Sequence, residues 1–121
     1  MFELTVQRDF RAAHAIVMGG HCEQTHEHCW HVSAVVQGDR LDDDGLLCDF
    51  HVIERELEGV IGGLRDRDLN QTPPFDQLNP TAEHVARHIG DRLAGVLPPG
   101  VVLKSVSVTE APGCVARWVR E

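Results

Sequence analysis

Several features that mark other classes of protein are missing from this chain of 121 residues. No apolar run approaches the roughly 20 residues that a membrane-spanning helix needs, so we expect no membrane partner. Basic residues number 11 against 19 acidic ones, and the formal net charge is -8. A general nucleic-acid-binding surface needs a basic footprint, so we expect no nucleic acid partner either. The start of the chain lacks the basic-then-apolar pattern of a signal peptide, which predicts a cytoplasmic protein.

The chain also has no Cys-x-x-Cys pair, which argues against a zinc knuckle and a thioredoxin-like motif. Without a secretion signal, its four cysteines are expected to be reduced thiols. Internal repeats, low-complexity tracts and linker-like segments are absent as well. We therefore expect a single domain over residues 1–121.

Hydrophobic periodicity predicts the elements of that domain. Apolar residues alternate with polar ones over residues 2–14, where a bulge could interrupt the strand, and again over 26–37. Helical spacing follows over 50–64, with Asp49 as N-cap, and over 79–97, where Asn79 or Thr81 is the cap. Two strands close the chain at 101–110 and 114–119. The order ββααββ predicts an α+β fold, a four-stranded antiparallel sheet with two helices on one face, and its open edges favour an oligomer.

Histidine is the unusual abundance: there are eight, and five lie close together, at His14, His21, His26, His28 and His31. His26-x-His28 on a strand places both rings on one face, about 7 Å apart at the backbone. Catalytic zinc usually takes three protein ligands and keeps a fourth position open. His14, on the neighbouring strand, is the natural third ligand, and His21 competes with it. His31 has the opposite parity and is excluded.

A thiol lies close to this histidine pair, because Cys22 precedes His26 by four residues. A nearby cation stabilises a thiolate, which can then act as a base or nucleophile. A fourth metal ligand and an inert thiol are equally good interpretations of Cys22. For Cys29, Cys48 and Cys114 we expect packing roles.

Two carboxylates are candidates for binding a substrate. Glu110 ends an apolar strand, where a carboxylate can form paired hydrogen bonds with the amidine-like edge of a purine or pterin. Taken by itself, Glu110 is better explained as a solvated strand end. Glu83 lies in the first turn of a helix, and the helix dipole alone accounts for a negative charge there.

These segments together resemble the 6-pyruvoyl-tetrahydropterin synthase and 6-carboxytetrahydropterin synthase family. The resemblance extends over nearly the whole chain and rests on six motifs in matching order: Phe10-Arg-Ala-Ala-His14, Cys22-Glu-Gln-Thr-His26-Glu-His28, Gly45-Leu-Leu-Cys-Asp49-Phe50, Leu69-Asn70, Asn79-Pro-Thr-Ala-Glu83 and Val108-Thr-Glu110.

The resemblance implies a tunnelling fold, in which ββααββ subunits join their sheets into a barrel, usually as a homohexamer. It implies a zinc cofactor on His14, His26 and His28, and a reduced pterin triphosphate such as 7,8-dihydroneopterin triphosphate as substrate.

The resemblance also assigns roles around the metal. Glu110 would anchor the pterin, helped by the segment from Thr81 to Glu83, with the site shared between subunits. Cys22 would be the thiolate that abstracts a proton, while zinc acts as a Lewis acid.

The sequence departs from the family where an Asp-His pair normally assists proton transfer. Arg65 and Asp66 stand in those positions, and an aspartate is ordinarily ionised at neutral pH and a poor proton donor. Either Asp66 still serves, or the proton takes another route, or the usual reaction is lost. Candidate replacements for the imidazole are His51, His84 and His88. Glu27 replaces a glycine between the ligands, where it is either harmless or orients a ligand.

The resemblance implies a zinc-dependent lyase. Within it we favour the 6-carboxytetrahydropterin synthase branch, which feeds 7-deazapurine pathways of the queuosine type, because the chain is short as in bacterial members and not because of a diagnostic residue. The alternatives are a 6-pyruvoyl-tetrahydropterin synthase or a divergent pterin aldolase or lyase. A zinc- and pterin-binding protein without turnover is a further alternative, which the missing Asp-His pair favours. A purely structural zinc module fits least well, because three histidines leave an open position.

Overall fold

The computed structural model describes all 121 residues and contains six β-strands and two α-helices. In chain order the elements are β1 Phe2–His14, β2 Val17–Met18, β3 His21–Cys22, β4 His26–Gly38, α1 Phe50–Ile61, α2 Ala82–Ala94, β5 Val102–Ala111 and β6 Cys114–Val119. A short 3-10 helix, Leu69–Gln71, lies between the two α-helices. No helix is both long enough and apolar enough to cross a membrane.

The main sheet has four strands in the order β1-β4-β5-β6, and every neighbouring pair is antiparallel. Strands β1 and β4 pair without interruption from Phe2 opposite Gly38 to His14 opposite His26, so the bulge considered for β1 is absent. The small β2–β3 hairpin was not predicted. Strands of two residues are too short to show periodicity, and only Gly19 and Gly20, both with positive φ, mark the turn between them.

One hydrophobic cluster of 21 buried residues joins the sheet to both helices. Even-numbered positions of β1 and β4 face this cluster, and the stacked rings of Phe10 and Trp30 lie at its centre, 5.9 Å apart. Ile53 of α1 and Ile89 of α2 pack in the same cluster. Both helices therefore cover one face of an antiparallel sheet, and the predicted fold class is confirmed.

Both helices begin at their predicted caps and end earlier than expected. Asp49 accepts a hydrogen bond from the backbone N–H of His51, and Thr81, not Asn79, caps α2 by accepting from His84. Leu64 and Leu97 continue the helical spacing beyond Ile61 and Ala94 but lie outside the helices. Periodicity did not separate them from helical residues, because both pack in or against the core.

Candidate active site

Three histidines and one glutamate converge at one end of the sheet. His14 and His26 are directly opposite each other on β1 and β4, and His28 lies two residues further along the same face. The ring centroids of the three histidines are 4.3–5.3 Å apart. Glu110, near the end of β5, joins them, so that one ligand atom from each of the four residues lies within 4.8 Å of the others.

His14 is the buried member of this cluster, with no exposed side-chain surface. Its Nδ1 donates a hydrogen bond to the carbonyl oxygen of Pro80, 2.8 Å away, since a carbonyl can only accept. The remaining nitrogen, Nε2, is therefore unprotonated in the neutral ring and lies 3.3 Å from Oε1 of Glu110. The Pro80 carbonyl thus fixes both the tautomer and the direction of the lone pair.

The other two rings are also suited to bind a cation. His26 donates from Nδ1 to the carbonyl of Gln24 at 3.0 Å, which leaves its Nε2 available. His28 has its Nε2 3.6 Å from Glu110. Burial, and then the neighbouring His26, lower the pKa of His28, which favours the neutral ring that metals require.

The fit to a metal rests on two atoms in particular. Nε2 of His14 and Nε2 of His28 are buried and have no hydrogen-bond partner. Buried polar nitrogens are normally paired, so two unpartnered nitrogens that face one carboxylate are suited to bind a cation. Three imidazole nitrogens and a carboxylate oxygen form a ligand set that zinc accepts. The residues at this site therefore fit a divalent metal ion.

A cavity of about 610 Å³ opens beside Glu110. Its lining includes Glu83 from the first turn of α2 and Arg117 from β6. The hydroxyl of Thr81 is occupied as the helix cap. Sequence reasoning did not foresee that Glu110 would lie against the histidines, because that contact depends on how β5 pairs with β4. Its role as a pterin anchor stays a prediction, together with those of Thr81 and Glu83.

Cys22 lies outside the histidine cluster. It is exposed on β3, and its Sγ contacts the carbonyl oxygen of Glu23 at 3.5 Å. Glu110, rather than Cys22, lies against the three histidines. His21, the competing candidate, is exposed on the same hairpin and does not join the cluster. The role of Cys22 as a base stays a prediction.

Two asparagines that belong to the family motifs brace the chain between His14 and Cys22. The side-chain amide of Asn70 exchanges two hydrogen bonds of 2.8 Å with the backbone of Ala15. Asn79 does the same with the backbone of Val17, at 2.9 Å. Sequence reasoning treated these residues only as motif matches or as a cap. An asparagine outside the α-helices and β-strands was the available signal, because its side-chain amide can both donate to and accept from a backbone, as a neighbouring strand does.

Asp66 lies along the outer edge of β1, where its backbone N–H donates to the carbonyl of Arg11 at 2.7 Å. Its φ of 59° lies in the left-handed region, which aspartate tolerates better than most residues. No hydrogen bond or ion pair joins Asp66 to the three histidines. Its catalytic role stays a prediction. Arg65 forms an ion pair with Glu58 and donates to the carbonyl of Asp9, so it is a paired surface residue.

Several secondary expectations are changed by the structure. Cys29 and Cys114 are exposed, so the packing prediction was wrong for both, whereas Cys48 is half-buried and packs against the core. Cys29 is at an odd-numbered position of β4, and such positions face away from the helices. Cys114 is exposed because it begins β6 directly after the β5–β6 turn. Glu27 binds Arg11 on the face opposite the histidines, which removes its suggested role in orienting a ligand.

None of the three candidate imidazoles joins the cluster. His51 pairs with Glu54, and the ring of His88 packs edge-on against Phe75. His84 directly follows Glu83, but its Nδ1 is hydrogen-bonded to the carbonyl oxygen of Asn79 at 2.7 Å.

Comparison with known proteins supplies the family. A family profile described as 6-pyruvoyl tetrahydropterin synthase matches residues 3–121. The chain belongs to this family. Its members are pterin lyases and aldolases, which agrees with a metal-competent His/Glu cluster beside a cavity.

Two curated relatives of the chain carry different activities in their names. The 6-carboxy-5,6,7,8-tetrahydropterin synthase of Bacillus subtilis is 32% identical over 123 residues, covering 99% of this chain and 79% of that protein. The dihydroneopterin monophosphate aldolase of Pyrococcus furiosus is 34% identical over 101 residues, covering 84% of this chain and 82% of that protein.

Solved structures agree on the fold. The 6-pyruvoyl tetrahydropterin synthase of Caenorhabditis elegans superimposes with a TM-score of 0.82 at 22% identity, covering 100% of this chain and 98% of that one. The enzyme of the same name from Plasmodium vivax gives 0.81 at 19%, covering 98% and 97%. The predicted tunnelling fold is confirmed.

Proposed function

We propose that this protein is a zinc-dependent lyase that converts 7,8-dihydroneopterin triphosphate to 6-carboxytetrahydropterin. The observation that carries the proposal is the pair of buried, unpartnered Nε2 atoms of His14 and His28 that face Glu110 beside an open cavity. The Bacillus relative, whose name states this product, supports the choice of reaction.

In this proposal His14, His26 and His28 hold the zinc ion through Nε2. When bound, zinc supplies Lewis-acid stabilisation for negative charge on the substrate's side-chain oxygens. The hydrogen bond from His14 to Pro80 keeps that ring in place, so the site is organised before substrate arrives.

Glu110 and Glu83 line the cavity in which the pterin would lie. A carboxylate can accept two hydrogen bonds from the N–H edge of a pterin, and Glu110 is placed between that cavity and the histidines. Thr81 positions the first turn of α2, and with it Glu83, through its cap.

Proton abstraction is assigned to Cys22, whose exposed thiol lies on the hairpin between the ligands His14 and His26. Val17 opposite Cys22 is held by Asn79, which limits where the thiol can lie. Asp66 is proposed as the partner in proton transfer from a neighbouring subunit, because its own chain keeps it on the outer edge of β1.

The remaining assignments follow from this activity. We propose a place in a 7-deazapurine pathway of the queuosine type, a cytoplasmic location, a single domain and a homohexamer. The assembly is supported by the sheet, whose edge strand β6 has no neighbour on its outer side and exposes Val115 and Val119.

The experiment is to incubate zinc-loaded protein with 7,8-dihydroneopterin triphosphate and identify the products by mass spectrometry. We expect 6-carboxytetrahydropterin, and we expect Cys22→Ala to abolish it. Cys48→Ala, which removes a half-buried thiol outside the histidine cluster, is the matched control and should retain turnover. Pterin binding without turnover in the unmodified protein would contradict the proposal and indicate a non-catalytic binder.

A second candidate is a carbon–carbon cleavage of dihydroneopterin monophosphate. The Pyrococcus relative, named for that reaction, supports it, and so does Glu23, whose carboxylate lies 3.7 Å from Nδ1 of His26. Glu23 also accepts a hydrogen bond from the backbone of Ile16. A carboxylate so close to a ligand offers a base that does not depend on Cys22.

The two candidates separate in one pair of variants. If the aldolase interpretation is correct, the monophosphate is cleaved and Glu23→Gln loses activity while Cys22→Ala retains it. The lyase interpretation predicts the reverse dependence with the triphosphate.

A further inference from the structure

The face of the sheet opposite the histidines carries a second group of potential ligands. Asp9 on β1 is directly opposite His31 on β4, and Nδ1 of His31 lies 2.6 Å from Oδ1 of Asp9. Cys29 is two residues before His31 on the same face of the strand. One ligand atom from each of the three residues lies within 4.8 Å of the others.

The geometry of this group repeats that of the histidine site. There, His14 is opposite His26, and His28 is displaced by two residues on the same strand. Here, Asp9 is opposite His31, and Cys29 is displaced by two residues. Because alternate residues of a strand point to opposite faces, one pair of strands presents two three-ligand groups back to back.

We propose that Asp9, Cys29 and His31 form a second metal site, which binds a zinc-like divalent cation independently of the histidine site. The group combines a carboxylate oxygen, a thiolate sulfur and an imidazole nitrogen, which are the three ligand types that zinc uses in proteins. The sulfur makes the site softer than the histidine site, so it favours zinc or cobalt over magnesium or calcium.

The surroundings leave room for the ion and its water ligands. The side chains of Asp9 and His31 are 62% and 56% exposed, so an ion can enter without opening the fold. Both residues also line a polar cavity of about 510 Å³.

Two positive charges lie nearby. Arg117 lines the same polar cavity and donates a hydrogen bond to Oγ of Ser107 at 2.9 Å. Arg11 is opposite Cys29 in the register. Its guanidinium is hydrogen-bonded to Glu27, and this contact raises the pKa of Arg11. The ion pair with Glu27 neutralises the charge of Arg11, which would otherwise repel a cation. Metal binding would displace the proton of the hydrogen bond between His31 and Asp9 and the proton of the Cys29 thiol.

Cobalt titration followed by absorbance tests this proposal without any pterin. A thiolate bound to cobalt gives an intense near-ultraviolet charge-transfer band, which the histidine site with Glu110 does not produce. We expect two cobalt ions per chain, with the band belonging to one of them. Cys29→Ser should remove the band and reduce the stoichiometry to one cobalt ion per chain. Asp9→Asn or His31→Gln should lower the affinity for the thiolate-bound cobalt ion by at least about tenfold.

Matched variants assign the band. Cys22→Ser should keep it, which excludes the thiol beside the histidine site, and His26→Ala should lose the other ion while keeping the band. Binding of a single ion, or a band that disappears with Cys22 and survives Cys29→Ser, would overturn the proposal. Because no substrate is present, failure here is distinct from failure of the lyase assignment.

Discussion

Replacing His14 or His26 by alanine should lower the stability of the metal-free protein by different amounts. Both replacements should weaken metal binding to the same extent. His14 has 0% of its side chain exposed, whereas His26 is 36% exposed. In the folded protein His14 satisfies the carbonyl of Pro80, which is itself buried. The bond of His26 to Gln24 is exposed and can be replaced by water.

The size of the difference follows from these contacts. Leaving the Pro80 carbonyl unpaired costs about 1–3 kcal/mol, and losing the edge contact between His14 and Trp30 adds roughly 1 kcal/mol. His14→Ala should therefore lower the free energy of unfolding by about 2–4 kcal/mol. His26→Ala should lower it by less than about 1 kcal/mol, as for an exposed residue.

Zinc adds a second measurable term. A ligand at 100 times its dissociation constant stabilises the folded state by about 2.7 kcal/mol. In a Cys29→Ser background, which leaves the histidine site as the zinc site, the protein should gain this amount when zinc replaces a chelator, and both alanine variants should lose most of it. His21→Ala is the matched control, because that histidine is exposed on the same hairpin and does not join the cluster.

The assay is urea denaturation of each protein with chelator and with zinc. Equal costs for His14→Ala and His26→Ala in chelator would refute the structural role given to His14. Undiminished zinc stabilisation in His26→Ala would refute the ligand assignment.

Three further predictions concern the scaffold. A Cβ at Gly90 would lie 2.3 Å from the ring of Trp118. In Gly90→Ala this overpacking should cost about 1–3 kcal/mol of stability, and the better helix propensity of alanine should offset about 1 kcal/mol of that cost. In a Trp118→Val background the same change should become stabilising, and an unchanged sign in urea denaturation would contradict the packing argument. Burial, and then the charge of Arg92, lower the pKa of His88. The folded protein therefore favours the neutral ring, and the stability that is present above the ordinary histidine pKa is lost as the pH falls below that value. His88→Gln should flatten the acid limb of a stability-against-pH curve by at most about 1.4 kcal/mol per pH unit, and an identical limb would count against it. Asn79→Ala should speed hydrogen exchange of the Val17 amide without loosening α2, which Thr81 caps; unchanged exchange would contradict the bracing role.

The parity of the long strands was the most readable part of the sequence. A period of two places His26 and His28 on one face and Cys29 and His31 on the other, and the unbroken β1–β4 register then brings His14 to the first pair. Only the sequence pattern and one turn are needed for that argument, which is why the histidine cluster could be anticipated.

The contact of Glu110 with the histidines could not be anticipated in the same way. Strand β5 is separated from β4 by both helices, and their pairing shifts between Val35 and Val36, so periodicity does not fix which β5 residue reaches the cluster. The group of Asp9 and His31 was missed for a similar reason, since residues far apart in the chain become neighbours only through the register. Tertiary pairing, not local pattern, decides both contacts.

Zinc-loaded protein given an equimolar mixture of 7,8-dihydroneopterin triphosphate and dihydroneopterin monophosphate reveals which of the two substrates it uses. Mass spectrometry of the products over time gives the ratio of the two kcat/KM values in one vessel. We expect the triphosphate to be consumed preferentially and to appear as 6-carboxytetrahydropterin, with no product when a chelator replaces zinc. Preferential cleavage of the monophosphate, or turnover of the triphosphate that survives removal of zinc, would contradict it.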